Sequence, residues 1–170
     1  MPLKDGRYTG RLYRALNPVY AREPLSGRGA ELYGGRFNAK GTPALYTSLN
    51  PAIALREANQ VGSLQPTILV SYKADLKPIF DTRDHDGLER YGMTASMLGD
   101  PAWRMTMLDG QPVPTQDLAR ALIADRFAGL LIQSFAKGAL ASDLNIVLWA
   151  WTDNNGSLEV VDDEQRLSRM

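Results

Sequence analysis

An arginine, a tyrosine and a glutamate stand at positions 36, 46 and 57 of a chain that has one histidine and no cysteine. Arg36 offers donors in a planar, permanently charged fork, which suits paired phosphate oxygens. Gly34 and Gly35 precede it and let backbone approach a ligand, because no Cβ intervenes. Tyr46 can stack on a flat ring, or fill core with its hydroxyl bonded. Glu57 can serve as a general base, or can orient a sugar hydroxyl and stabilise developing positive charge. A fixed cation, an aromatic face and a carboxylate together suit a ligand with a pyrophosphate, a flat ring and a sugar. Each residue also has a plain structural reading, the simplest being an Arg36–Glu57 salt bridge.

Two short elements must bring these residues together. Strands around 35–38 and 44–47 are expected to pair across Lys40-Gly41-Thr42-Pro43, a turn-forming stretch. Asn50-Pro51 starts a helix, with a capping side chain and then proline at the first helical position. A helix over 51–61 puts Ala54, Glu57, Ala58 and Val61 on one stripe, so Glu57 lies on the buried side and needs a partner. Gly62 closes that helix. Upstream, 8–16 reads as a strand bearing Arg14, stopped by Asn17-Pro18. A Gly-rich loop over 22–31 carries Arg28. Either arginine could add a second phosphate contact, although neither segment is a P-loop or a Rossmann turn.

Downstream, 67–72 reads as a central strand and 76–80 as its continuation or an edge. Residues 81–114 break into short helical pieces holding Met93, Met97, Trp103, Met105 and Met107, read first as packing under a long connection. Thr115 is expected to cap a helix to about 126. Buried strands follow over 129–133 and 145–151, then a turn at 153–156 and a last strand over 157–161. Ser134, at a strand end, stands where a site rim would be, or caps the next turn. With no histidine near it in sequence it is a poor nucleophile. The tail 162–170 is charged and expected to fray. The sum is a single α+β domain over 1–170, with a core over about 8–161. Its expected sheet is mostly antiparallel, with a few short helices.

Bulk properties remove several classes of function. A net charge of zero argues against binding nucleic acid by phosphate neutralisation. No cysteine means no disulfide and no thiol nucleophile, and one histidine forbids a multi-histidine metal site. No metal is therefore expected. His85 sits among Asp81, Arg83, Asp84, Asp86 and Gly87 and reads as a surface residue, and no Gly-x-Ser-x-Gly elbow occurs. No stretch approaches the ~18 apolar residues of a membrane span, and the N-terminus lacks the apolar run of a signal peptide. A cytoplasmic protein is expected.

A resemblance takes the reading further. Leu25-Ser26-Gly27, Gly29-Ala30, Gly34-Gly35-Arg36-Phe37-Asn38, Gly41-Thr42-Pro43, Tyr46-Thr47-Ser48, Pro51, Ala54 and Glu57 resemble, in order and spacing, the signature of the RES domain. That family is named for an arginine, a glutamate and a serine. Arg14 within Leu12-Tyr13-Arg14-Ala15, the run from Gly129 to Ser134 and the run from Asn145 to Trp149 extend the likeness over about 8–152. Phe37 stands where tryptophan is usual, and Phe135-Ala136 where many members have a small residue and then arginine.

The resemblance implies an ADP-ribosyltransferase-like fold with a split sheet. It implies a toxin of a bacterial toxin–antitoxin module, partnered by an Xre-type helix-turn-helix antitoxin. It implies an enzyme that consumes NAD+ by cleaving the nicotinamide–ribose bond and passes ADP-ribose to water, phosphate or a protein acceptor. Glu57, Arg36 and Tyr46 are then catalytic. Arg14, Arg36, Tyr46, Ser134, Arg28 and Asn38 are then the residues that contact NAD+. The alternative class is a non-catalytic nucleotide-binding or interaction module using the same pocket. An exposed Met/Trp region over 93–108 is a candidate docking surface for the antitoxin.

Overall fold

The structure is a computed structural model that describes residues 2–60 and 63–170. In chain order its elements are β1 (Leu3–Lys4), β2 (Arg7–Leu16), α1 (Arg28–Tyr33), β3 (Leu45–Ser48), α2 (Pro51–Ala58), β4 (Ile68–Leu76), β5 (Ile79–Asp81) and α3 (His85–Arg90). Then come α4 (Ala95–Leu98), α5 (Trp103–Leu108), α6 (Pro114–Ala124), β6 (Gly129–Gln133), β7 (Leu144–Leu148) and β8 (Gly156–Val160). The strands among the described residues form one mixed, mostly antiparallel sheet in the order β5-β6-β7-β3-β2-β4-β8, with β1 paired to β2. Only β5 and β6 run parallel.

The sheet is nearly divided. β2 and β4 pair along their whole length, from Tyr8 opposite Leu76 to Leu16 opposite Ile68. β3 and β7 likewise pair from Leu45 opposite Leu148 to Ser48 opposite Asn145. Between these two arms, β2 and β3 share one register pair, Tyr13 opposite Ser48. The expected split core is thus one sheet held across its middle by a single pairing.

Both faces are covered over β6 and β7, whereas β2 and β4 alternate buried residues with exposed or half-exposed ones, as the period-2 alternation of strand side chains dictates. On β7, Leu144, Ile146 and Leu148 join the core beneath β2 and β4, while Val147 and the following Trp149 face the helical side. On β6, Leu131 points to the first core and Leu130 and Ile132 to the second. That second core is closed by Leu118, Ala119 and Leu122 of α6, with Leu88 and Leu98 from the short helices.

Several expectations need correction. The Gly-rich loop gives way to a helix over Arg28–Tyr33, where no helix was expected. The 35–38 stretch is a closed turn, not a strand, with Gly35 bridged to Asn38, and β3 pairs with β7 instead. α2 begins as expected, with the Asn50 side-chain Oδ1 accepting from Ala52 N–H at 2.8 Å, but it ends at Ala58. The expected stop at Gly62 lies outside the described residues, as does Val61. Thr115 does not cap α6. Val113 holds that position, and the buried Thr115 Oγ1 has no hydrogen-bond partner. The tail is tied down: Asp162 accepts from Arg166 N–H at 2.8 Å and Leu167 N–H at 3.1 Å, and Leu167 packs against the core. His85 is exposed, as read. Among the described residues no helix is long and apolar enough to cross a membrane.

Candidate active site

A cleft of about 510 Å³ opens where β2 and β3 separate. Its walls include Tyr13 and Arg14 of β2, Tyr46 and Ser48 of β3, Glu57 of α2, the Gly35–Phe37 turn, Trp103 and Arg104 of α5, and Phe135. Arg36, Tyr46 and Glu57 therefore line one space, as their spacing had suggested.

The glutamate is held by side chains. Its Oε1 accepts from the Ser134 hydroxyl and from Asn145 Nδ2, the latter at 2.7 Å. Its Oε2 accepts from the Gln60 side-chain amide. Ser134 reaches it because β6 ends there. Ser134 N–H donates to Asp143 O at 2.7 Å, closing the connection to β7, and Arg56 of α2 bonds Asp143 at 3.0 Å. Ser134 is 2% exposed and stands behind the carboxylate, off the cleft wall. The geometry makes it a support for Glu57, where a direct ligand contact was expected.

The arginine is held differently. Arg36 Nη1 donates to Leu98 O at 3.2 Å and Asp100 O at 3.0 Å. Its guanidinium carbon lies 5.0 Å from the Phe135 ring centre and 5.9 Å from that of Trp103, within cation–π range. Gly99 makes room for this: a Cβ there would meet Phe135 Cε1 at 2.9 Å. Burial pushes the Arg36 guanidinium below its ordinary pKa, and Glu57 across the cleft is the largest opposing influence. An arginine so lowered stays cationic at neutral pH. Among the described residues neither Arg36 nor Glu57 enters an ion pair. The salt-bridge reading of this pair fails, and the two opposite charges face each other across open space.

Tyr46 lines the same cleft. Its hydroxyl donates to Asn38 Oδ1 at 2.6 Å and accepts from Phe37 N–H at 3.1 Å, while the residue stays 36% exposed because its ring opens on the cleft. Burial raises the phenol well above its ordinary pKa, so it remains a neutral donor. Gly35 permits this approach, since a Cβ there would stand 2.3 Å from the Tyr46 hydroxyl oxygen. Asn38 is 0% exposed, and its amide donates to Ala30 O at 2.8 Å and Thr42 O at 2.9 Å. Buried and bonded within the turn, it meets the cleft through Tyr46.

Arg14 lines the cleft and reaches back to Pro24 O and Ser26 O at 3.4 and 3.3 Å. Arg28 does not join the site: it is exposed, 3.7 Å from Glu31. The structure adds Asn145, Trp103, Arg104 and Phe135 to the candidates. Two more residues act from behind. The Trp149 indole N–H donates to Phe37 O at 2.8 Å and Gln116 donates to Gly35 O at 2.9 Å, fixing the turn that carries Arg36. Among the described residues no three of His, Cys, Asp and Glu gather as a metal site would require.

A model of the RES domain matches residues 11–169. The chain belongs to the RES domain family. A search of solved structures finds the same fold in a chain of the M. tuberculosis MbcT–MbcA toxin–antitoxin complex. The TM-score is 0.62 at 19% identity, covering 96% of this chain and 91% of that one. No match was found among curated proteins. In this RES domain the Met/Trp stretch divides. Met93 and Leu98 are buried, Trp103 walls the cleft, and Met105 and Leu108 are 61% and 64% exposed. Sequence spacing identified Arg36, Tyr46 and Glu57. It carried no signal for Trp103 or Arg104, whose chemistry depends on which way a short helix faces.

Proposed function

We propose that this RES domain is a toxin that cleaves the nicotinamide–ribose bond of NAD+ and passes ADP-ribose to an acceptor, held in check by an antitoxin of the Xre type. The observation that carries it is that Arg36 and Glu57 line one cleft without an ion pair, together with the Tyr46 ring. Two such charges without a bridge leave room for a ligand that is anionic at one end and develops positive charge at the other. A dinucleotide with a pyrophosphate and a nicotinamide ribose has that polarity.

Nicotinamide in NAD+ is already cationic, so it departs with the bonding electron pair as a neutral molecule and needs no general acid. The ribose carbon becomes oxocarbenium-like as the bond lengthens. Glu57, its carboxylate oriented by Ser134 and Asn145, bonds the ribose hydroxyls and stabilises that charge. Arg36 has Nη1 committed to backbone and leaves Nε and Nη2 for the pyrophosphate. Arg14 adds charge from β2. The Tyr46 ring offers a face to the nicotinamide. An acceptor hydroxyl or phosphate oxygen then bonds to the ribose carbon that nicotinamide has left and releases its proton to solvent. The likeness to ADP-ribosyltransferases belongs to this reading, and a sheet that parts at β2 and β3 to open a cleft supports it. The fold shared with a chain of a toxin–antitoxin complex supports the antitoxin partner.

The test is direct. Purified protein is incubated with NAD+ in buffer, in phosphate and in cell lysate, and free nicotinamide is measured. Nicotinamide release that Glu57→Gln abolishes is expected. None under all three conditions ends the proposal. Labelled NAD+ then identifies the acceptor: a discrete labelled protein means transfer, while soluble ADP-ribose or its phosphate ester means breakdown.

A further inference from the structure

Ser48 and Asn145 face each other as a register pair on β3 and β7, at the point where β2 and β3 separate. The Ser48 hydroxyl donates to Asn145 Oδ1 at 2.7 Å, and Asn145 Nδ2 donates to Glu57 Oε1 at 2.7 Å. Both residues line the cleft. We propose that this cross-strand pair is a positioning device: Ser48 fixes the orientation of the Asn145 amide, and Asn145 fixes the rotation of the Glu57 carboxylate. The inference rests on the proposed role of Glu57 at the reacting ribose.

A carboxylate accepts and does not donate, whereas an amide presents a donor end and an acceptor end of nearly equal size. Turned about its last bond, Asn145 would set Oδ1 against Glu57 Oε1, acceptor against acceptor. Nothing in the shape of the amide forbids that turn. Glu57, an acceptor alone, disfavours that turn, and the Ser48 hydroxyl, donating to Oδ1, secures the other end of the amide in the orientation that aims Nδ2 at Glu57. The hydroxyl is free to play this part, being 3% exposed with Asn145 as its hydrogen-bond partner. Ser134 and Asn145 then converge on Oε1 from β6 and β7. Oε2, bonded only by the exposed Gln60 side chain, is left as the oxygen that meets the ligand.

The chain of contacts predicts a chain of effects. Asn145→Ala should lower kcat for nicotinamide release by about 10- to 100-fold with KM nearly unchanged, as loss of a supporting hydrogen-bond partner does. Ser48→Ala should lower kcat by about fivefold, the worth of one ordinary hydrogen bond. Ser48→Thr, which keeps the hydroxyl, should restore most of it. In the Asn145→Ala background Ser48→Ala should have no further effect, because Ser48 acts only through Asn145. Effects that multiply in the double variant overturn the relay.

A readout independent of turnover keeps the two claims apart. The Asn145 side-chain amide signals in a 15N NMR spectrum are assigned by their loss in Asn145→Ala. They should shift or broaden in both Ser48→Ala and Glu57→Ala. Signals unmoved in both variants overturn the inference whatever the enzyme does. Signals that move in a protein releasing no nicotinamide uphold the pair and reject the proposed reaction.

Discussion

The two walls of the cleft hold their charges by opposite means. Glu57 is fixed by side chains alone, drawn from β6, β7 and the end of α2. Arg36 is fixed by two backbone carbonyls and two aromatic faces, with no acidic side chain bonded to it among the described residues. A carboxylate that must meet a cation forming on one atom needs its oxygens aimed, and directional donors do that. A cation that grips a diffuse diester needs its charge left unspent, and carbonyl dipoles and ring faces orient it without neutralising it. Under the proposed function, the difference would give the glutamate wall the chemical step and the arginine wall the binding.

The largest effect tests the first half of that assignment. Glu57→Gln keeps the shape and removes the charge, and nicotinamide release should fall by about 100- to 1000-fold in kcat with modest change in KM. A drop confined to KM would mean that Glu57 only binds, and the contrast between the walls would collapse. The second test is Arg36→Lys. Lysine keeps the charge but loses the fork and the stacking on Phe135 and Trp103, so KM for NAD+ should rise by about tenfold or more while kcat holds within a few-fold. A loss that falls on kcat instead would place Arg36 at the reacting carbon.

How much of this could be read in the chain depends on distance along it. β2, α2, β6 and the Asn50 cap follow from local signals: an apolar alternation, a proline at the first turn, a run of Leu and Ile. Arg36, Tyr46 and Glu57 lie within one short stretch, so their convergence was legible from spacing. The partners that make them work come from far away. Leu98 and Asp100 reach Arg36, Ser134 and Asn145 reach Glu57, and Gln116 and Trp149 reach the turn. No local pattern reports such contacts, because the topology of the sheet and the facing of short helices create them. The 35–38 stretch went astray for the same reason. Its residues suit a strand, yet the Tyr46 hydroxyl and the Asn38 amide close it into a turn, and β3 takes β7 as partner.

That closed turn sharpens the contrast in a third way. Asn38 belongs wholly to the arginine wall, so its loss should be felt as stability and as grip, not as chemistry. Asn38→Ala removes the amide's bonds to the carbonyls of Ala30 and Thr42 and the acceptor of the Tyr46 hydroxyl proton, all in a buried place. Unfolding by urea should show a cost of about 1–3 kcal/mol. The surviving folded protein should show a raised KM with kcat nearly intact. A kcat loss matching that of Glu57→Gln would mean that the walls are not separable.

The smallest effect concerns the phenol that joins this turn to the cleft. Burial raises the pKa of Tyr46, and does the same to Tyr72 and to Tyr8, which is pushed up to about 12. A raised phenol keeps its proton in the folded chain after the unfolded chain has lost it. Its contribution is therefore whole below the unfolded value of about 10 and fades as pH rises through the interval above it. Tyr46→Phe gives up the hydrogen bonds to Phe37 and Asn38, worth about 1 kcal/mol at neutral pH. It also removes one of these raised titrations, so the variant should lose stability less steeply than the parent above about pH 10. The gap between parent and variant in urea unfolding should then narrow as the buffer is made alkaline. A gap that stays constant would mean that the Tyr46 hydroxyl ionises as freely as one in water. The turn beneath Arg36 would then be open to solvent, and its wall would lose the dryness on which the unspent charge depends.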